Sequence, residues 1–175
     1  MTVKQAMGRM WGDPWGIVFR RWNWKSAIFG ALIRGAMFYV INRKGGKGFT
    51  AMTTEFLFFV WAAGFFGAVT QAFRHAIPGW LARLAVMVLV ISTTHTSEYI
   101  LHHWIVNTPH AMAGTLASIC FTILSTIFSF YVMSRGAMVI GEDGNPFLDD
   151  MKRMPMLLWN FVGEPFKSSV FQSRP

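Results

Sequence analysis

Four histidines and a glutamate follow a long apolar run in the middle of the chain, within STTHTSEYILHHWIVNTPH, residues 92–110. On a helix, His95, Glu98 and His102 lie three and four residues apart and therefore share one face. Neutral imidazole binds transition metals and the metal of a tetrapyrrole, and carboxylate binds harder ions. This spacing makes His95 and His102 candidate ligands of a haem, a chlorophyll-type tetrapyrrole or a transition metal, with Glu98 as a third metal ligand.

The same residues also fit a purely structural role. Di-iron helical bundles repeat a Glu-x-x-His motif, whereas this chain has one copy in the reversed order, His95-Thr-Ser-Glu98, and only five histidines in all. One copy of the chain is therefore not expected to complete a metalloenzyme site. The alternative, which we favour, is that His95 and Glu98 bond to each other, to hydroxyl groups or to a neighbouring subunit near the end of a helix.

The composition indicates which elements carry this cluster. Hydrophobic residues make up 53% of the 175 residues and charged residues only 14%, against about 25% charged in a soluble domain. We therefore expect an all-α integral membrane protein. Its single domain, 1–175, would consist of an interfacial N-terminal segment (1–25), a transmembrane bundle (26–134) and a cytoplasmic or interfacial tail (135–175).

Four apolar segments are long enough to be transmembrane helices: 26–42, 50–73, 81–102 and 111–134. The first is close to the lower length limit, so a re-entrant or surface hairpin is the alternative there. It begins far from the N-terminus and no small-residue cleavage site follows it, so we expect it to be retained. Interfacial helices are predicted at both termini, the second of them beginning near Asn145 and interrupted by Pro155.

Charged and small residues within the predicted spans indicate contact surfaces. Arg34 lies at the centre of the first span, where an arginine costs about 2.5–3.5 kcal/mol, and should therefore face a partner helix or an anionic group. Glu55 lies near the start of the second span. Gly35, Gly64 and Gly67 belong to small-residue faces that allow close helix contact. These five residues are predicted to form interfaces with partner subunits.

The distribution of lysine and arginine predicts the orientation. If all four segments cross, the loop 43–48 carries only Arg43, Lys44 and Lys47, and the other ten cations flanking the spans lie on the opposite side. Because positive charge accumulates on the cytoplasmic side, both termini are predicted to be cytoplasmic. The expected location is a bacterial inner membrane or its equivalent.

These features favour a non-catalytic accessory subunit of a larger membrane complex, such as one that carries redox or photosynthetic cofactors. The chain has contact surfaces but no nucleophile motif and no phosphate-binding loop, so an enzyme is not favoured. The alternative is a small metal- or tetrapyrrole-binding membrane protein that uses the histidine cluster. Expected partners are other integral membrane subunits and anionic lipids. Nucleic acid is not expected, because the basic residues flank apolar runs.

Overall fold

The computed structural model describes the backbone of residues 1–100 and 112–163, with all side chains of those ranges except Glu98 and residues 112–117. The described residues form helices joined by short turns and no β-strand, as the sequence predicts. The six α-helices are α1 (Val3–Gly12), α2 (Trp24–Asn42), α3 (Gly48–Phe73), α4 (Gly79–Ile100), α5 (Met112–Ser134) and α6 (Phe147–Gly163).

Three helical segments are long and apolar enough to cross a membrane: Trp24–Gly45, Gly48–Phe73 and Gly79–Ser97. They indicate a membrane location and agree with the first three predicted spans. In α5, the residues whose side chains are described, Ser118–Ser134, form a shorter apolar segment. The fourth span therefore stays a prediction.

Helices α2 and α3 form an antiparallel hairpin. Asn23 caps α2, because its side-chain Oδ1 accepts a hydrogen bond from the backbone N–H of Ser26 at 3.0 Å. The turn between the helices requires Gly46, whose φ of 71° lies in the left-handed region. At Gly48 a Cβ would lie 3.1 Å from the carbonyl oxygen of Tyr39, so the missing side chain lets the second helix begin close to the first.

Helix α1 lies at one end of the bundle and packs against the C-terminal end of α3 and against α4. Its buried residues Val3, Ala6 and Met10 belong to a core cluster with residues of the α3 end and of α4. In the sequence, the i, i+3, i+4, i+7, i+8 spacing predicts one helix face made of Val3, Ala6, Met7, Met10 and Trp11. Met7 and Trp11 of this face are exposed. Two backbone hydrogen bonds to Ile77 hold the segment: Val3 N to Ile77 O, at 3.2 Å, and Ile77 N to Met1 O, at 3.0 Å.

The tail helix α6 corrects one sequence expectation. Pro155 lies inside it, so the prediction that this proline interrupts the helix is wrong. A proline removes one backbone hydrogen bond, but Met154 and Leu157 on either side of it are buried in a core cluster with residues 132–139. This packing holds the turns before and after Pro155 in one helix.

One end of the bundle carries the N-terminal segment, the turn between α3 and α4, and the described part of the tail (135–163). Lys25 pairs with Asp150, and Arg74 at the end of α3 pairs with Asp143. This proximity agrees with the side assignment of the charge pattern. The cytoplasmic orientation of that end stays a prediction.

Candidate functional site: two buried polar networks

The first network is an ion pair between the two helices of the hairpin. Arg34 on α2 is fully buried, and its Nε donates to Oε2 of Glu55 on α3 at 2.8 Å. Its Nη2 donates to the hydroxyl oxygen of Ser118 on α5 at 3.1 Å. The guanidinium also lies over the ring of Phe59, 4.7 Å from the centroid. A cation that would be costly in hydrocarbon thus has a carboxylate, a hydroxyl and an aromatic face as neighbours.

The hairpin places Arg34 and Glu55 at the same depth along its two helices. Arg34 precedes Arg43 by nine residues and Glu55 follows Gly48 by seven, so both lie at similar distances from the turn. On α5, Ser118, Thr122 and Thr126 recur every four residues and are all buried. The threonine hydroxyls donate to carbonyls of their own helix, those of Ser118 and Thr122. A hydroxyl-bearing face of α5 is therefore turned towards the pair.

Each predicted interface residue has neighbours within the chain. A Cβ on Gly64 would meet the indole of Trp22, one on Gly67 would meet Ser26, and one on Gly35 would touch Met52. Arg34 and Glu55 pair with each other, a partnership that the sequence analysis did not identify. Their similar distance from the RKGGKG turn was the signal that could have revealed it. Contact of these residues with a partner subunit stays a prediction.

The second network joins the N-terminal segment to the tail at the end of the bundle. Fully buried Asn23 donates through Nδ2 to the carbonyl of Met138 at 2.9 Å and to Oε1 of Gln71 at 3.2 Å. Gln71 in turn bonds both backbone groups of Ile140, accepting from its N–H at 3.1 Å and donating to its carbonyl at 2.9 Å. Two side-chain amides thus bind the backbone of the tail.

A buried ion pair completes this network. Lys25 Nζ donates to Asp150 Oδ2 at 2.7 Å and also to the carbonyl of Asn145. The same carboxylate oxygen accepts the backbone N–H of Met138 at 3.0 Å. Met138 has φ 58°, a left-handed conformation that costs a non-glycine residue about 1–2 kcal/mol. Hydrogen bonds to both its N–H and its carbonyl hold it there.

The predicted histidine site lies mostly outside the described residues. His95 is half-buried on α4. The side chain of Glu98 and all of His102 lie outside the described part of the structure. Glu55, which the charge pattern places on the same side of the membrane as this cluster, has its carboxylate on Arg34. Among the described residues no three histidine, cysteine or acidic side chains are grouped as metal ligands. The cofactor assignments of His95, Glu98 and His102 stay predictions.

An apolar groove of about 350 Å³ separates α3 from α4 beside this region. One wall consists of aromatic side chains of α3, among them Phe58, Trp61 and Phe65, and the other includes Thr93 and Thr94 of α4. His95 is not among its lining residues. The cofactor alternative predicts that His95→Ala removes bound metal or pigment while the protein stays inserted.

Helix lengths, apolar surfaces and paired buried charges define the class of this molecule as a helical protein with a membrane location. Comparisons with known protein families, with curated proteins and with solved structures find no match to this chain.

Proposed function

We propose that this chain is a non-catalytic accessory subunit of a larger membrane complex. In this proposal α5 is the fourth span, both termini are cytoplasmic, and the membrane is a bacterial inner membrane or its equivalent. The buried polar networks support it, because they join helices and the tail to one another. The bundle would then serve as a scaffold that presents its tail to other integral membrane subunits.

One observation carries the proposal: α6 has an exposed apolar face in addition to the face that it buries. Asp150, Met154 and Leu157 pack against the bundle. At 100° per residue, a neighbouring face of the helix carries four exposed apolar side chains; they are Leu148, Leu158, Trp159 and Val162. We call these four residues the α6 stripe. Trp159 is 80% exposed.

The α6 stripe has the chemistry of a docking surface. Exposed apolar residues that cluster on one face mark interaction sites more often than isolated ones do, and tryptophan is enriched at the centres of protein interfaces. The helix is also held in place, because the Lys25–Asp150 pair fixes its first turns. A preordered helix loses less entropy on binding than a free tail. A neighbouring membrane subunit is the partner that the proposal assigns to this face.

The test is purification of the tagged protein from its native membrane in a mild detergent, followed by size-exclusion chromatography with absorbance at 280 nm and across the visible range. We expect a large particle in which partner subunits are stoichiometric with this chain. Any visible band would then be apportioned among the subunits after they are separated.

A pair of variants isolates the contribution of the α6 stripe. Leu158→Gln combined with Trp159→Gln should release the partners and leave a small particle. Asp149→Asn combined with Asn160→Gln changes exposed polar residues of the same helix and should leave the large particle intact. Elution of the unaltered protein as a partner-free monomer would contradict the accessory function, and an intact complex in the Leu158/Trp159 variant would exclude the stripe as its docking surface.

A further inference from the structure

A polar pocket of about 460 Å³ lies at the end of the bundle where the N-terminal segment meets the tail. Its volume falls in the range of ligand pockets, about 300–1,000 Å³. Arg20 and Arg21 line it from the N-terminal segment, Gln71 from α3, and Ile140, Glu142 and Asp143 from the tail. Neither of the buried networks described above uses the side chains of Arg20, Arg21 or Glu142.

Hydrogen bonds hold part of the pocket lining in place. Gln71 and the backbone of Ile140 form two hydrogen bonds with each other, and Asn23 supports Gln71 from below with a third. Asp143 on the wall is held by Arg74, whose Nη2 donates to Oδ2 at 2.9 Å. Two of the lining side chains, Gln71 and Asp143, therefore have partners within the chain.

Charges of opposite sign face this pocket without neutralising each other. Within the described part of the chain, neither Arg20 nor Arg21 makes a salt bridge, and Glu142 makes none either. The two cations come from the N-terminal segment and the carboxylate from the tail. A ligand that fits carries a negative group for the arginines and a positive group a few bonds away for Glu142.

The surrounding residues place the pocket at the head-group level of a bilayer. Phe19 directly precedes Arg20, and Trp15 lies four residues before Phe19. Both rings are exposed and stack with a centroid distance of 4.7 Å. Phe19 also contacts Phe65 on α3, one of the apolar helices, at 5.1 Å. Exposed aromatic rings beside cations are typical of the boundary between hydrocarbon and head groups. A membrane lipid is therefore the nearest source of a ligand.

We infer that this pocket binds the head group of an aminophospholipid such as phosphatidylethanolamine. The phosphate pairs with Arg20 and Arg21, since guanidinium groups bind phosphate oxygens in a bidentate manner. The primary ammonium pairs with Glu142 and can donate three hydrogen bonds. A phosphatidylglycerol head group lacks the ammonium, and the quaternary ammonium of phosphatidylcholine has no N–H to donate. The site is thus selective for a head group that carries both a phosphate and a primary ammonium, beyond the attraction for anionic lipids that the basic residues beside the spans predict.

Native mass spectrometry of the purified protein tests this inference. The detergent-solubilised chain is mixed with phosphatidylethanolamine, phosphatidylglycerol or phosphatidylcholine of identical acyl chains, and the bound fraction is compared. We expect phosphatidylethanolamine to be retained about fivefold better than the other two, which corresponds to ~1 kcal/mol. That is the size of the exposed ion pair that phosphatidylglycerol lacks and of the hydrogen bond that phosphatidylcholine lacks. Inorganic phosphate at the same concentration should not displace it, because the lipid is also held by its acyl chains.

Matched variants assign the two ends of the head group. Arg20→Gln with Arg21→Gln should weaken retention of all three lipids, and Glu142→Gln should remove only the preference for phosphatidylethanolamine. Arg83→Gln and Asp149→Asn neutralise exposed charges elsewhere on the chain and should change nothing. Of these side chains, only that of Asp149 takes part in a salt bridge described above. Circular dichroism of each variant checks that it is folded.

Two outcomes would overturn the inference. Equal retention of the three lipids by the unaltered protein would mean that the pocket does not distinguish between head groups. A preference for phosphatidylglycerol that survives Glu142→Gln would show that the pocket binds anionic lipids through charge alone. Neither outcome depends on whether the protein has partner subunits, so failure here is distinct from failure of the accessory function.

Discussion

The buried pair of Arg34 and Glu55 is the clearest residue-scale feature. Its atoms lie 2.8 Å apart, and both side chains are shielded from solvent. Taking two charges out of water is expensive, so such a pair holds helices in register more than it adds stability. Removal of one partner is strongly destabilising, because the remaining charge is then buried without compensation. The pair therefore fixes how α2 and α3 align.

Single substitutions in this pair should be far more harmful than the double substitution. Arg34→Met or Glu55→Met alone should destabilise the protein by about 3–5 kcal/mol, whereas the double variant should recover much of that loss. Thermal unfolding in detergent, followed by circular dichroism, measures the difference. Thr53→Val, which removes an exposed hydroxyl bonded only to its own helix, is the control. Additive effects of the two single substitutions would show that the pair is not coupled.

At the scale of elements, the hairpin depends on glycine where the N-terminal end of α2 crosses α3. A Cβ on Gly67 would lie 2.6 Å from Cβ of Ser26 and 3.0 Å from Cβ of Asn23. Both atoms are attached directly to backbone, so the helices themselves must move apart. At Gly35 the nearest atom would be 3.4 Å away, in Met52, which is an ordinary contact distance.

Gly67→Ala and Gly35→Ala therefore form a matched pair of tests. Gly67→Ala should destabilise the hairpin by about 1–3 kcal/mol through overpacking. Gly35→Ala should be neutral or stabilising, because alanine is favoured over glycine within a helix by up to ~1 kcal/mol. The thermal midpoints of both variants in the same detergent give the comparison. Equal destabilisation by the two would contradict the packing described here.

At the scale of the whole molecule, one ion pair fastens the tail to the N-terminal segment across 125 positions of sequence. Lys25 and Asp150 are both almost completely buried. Lys25→Met should therefore loosen the tail and increase protease cleavage between Ser134 and Phe147, as measured by limited proteolysis. Lys152→Met breaks an exposed pair with Asp149, worth at most about 1 kcal/mol, and should leave the cleavage rate unchanged.

The orientation of the molecule can be tested by labelling. In a Cys120→Ser background, Lys44→Cys and Asn145→Cys place one thiol at each end of the bundle. A membrane-impermeant maleimide applied to intact cells should label Lys44→Cys and leave Asn145→Cys unmodified until the cells are opened. Labelling of Asn145→Cys from outside would reverse the proposed orientation. Labelling of both from outside would place residues 44 and 145 on the same side of the membrane and so exclude the odd number of spans that the proposal places between them.

The sequence by itself determined the class of fold and the first three apolar helices. Apolar runs, and the glycines and prolines that end them, are local features of the sequence. They can therefore be recognised without knowledge of the rest of the chain. The buried positions Val3, Ala6 and Met10 of α1 were likewise visible as a helical periodicity. The cofactor roles of His95 and His102 and the partner contacts remain predictions of the same kind.

Only the tertiary structure decided which polar groups meet. Arg34 and Glu55 are 21 positions apart, Arg34 and Ser118 are 84 apart, and Lys25 and Asp150 are 125 apart. No local pattern selects such partners, because the choice depends on how the helices pack. The same holds for Pro155, which by its own chemistry favours a break. Packing of Met154 and Leu157 against the bundle overrides that preference and keeps α6 continuous.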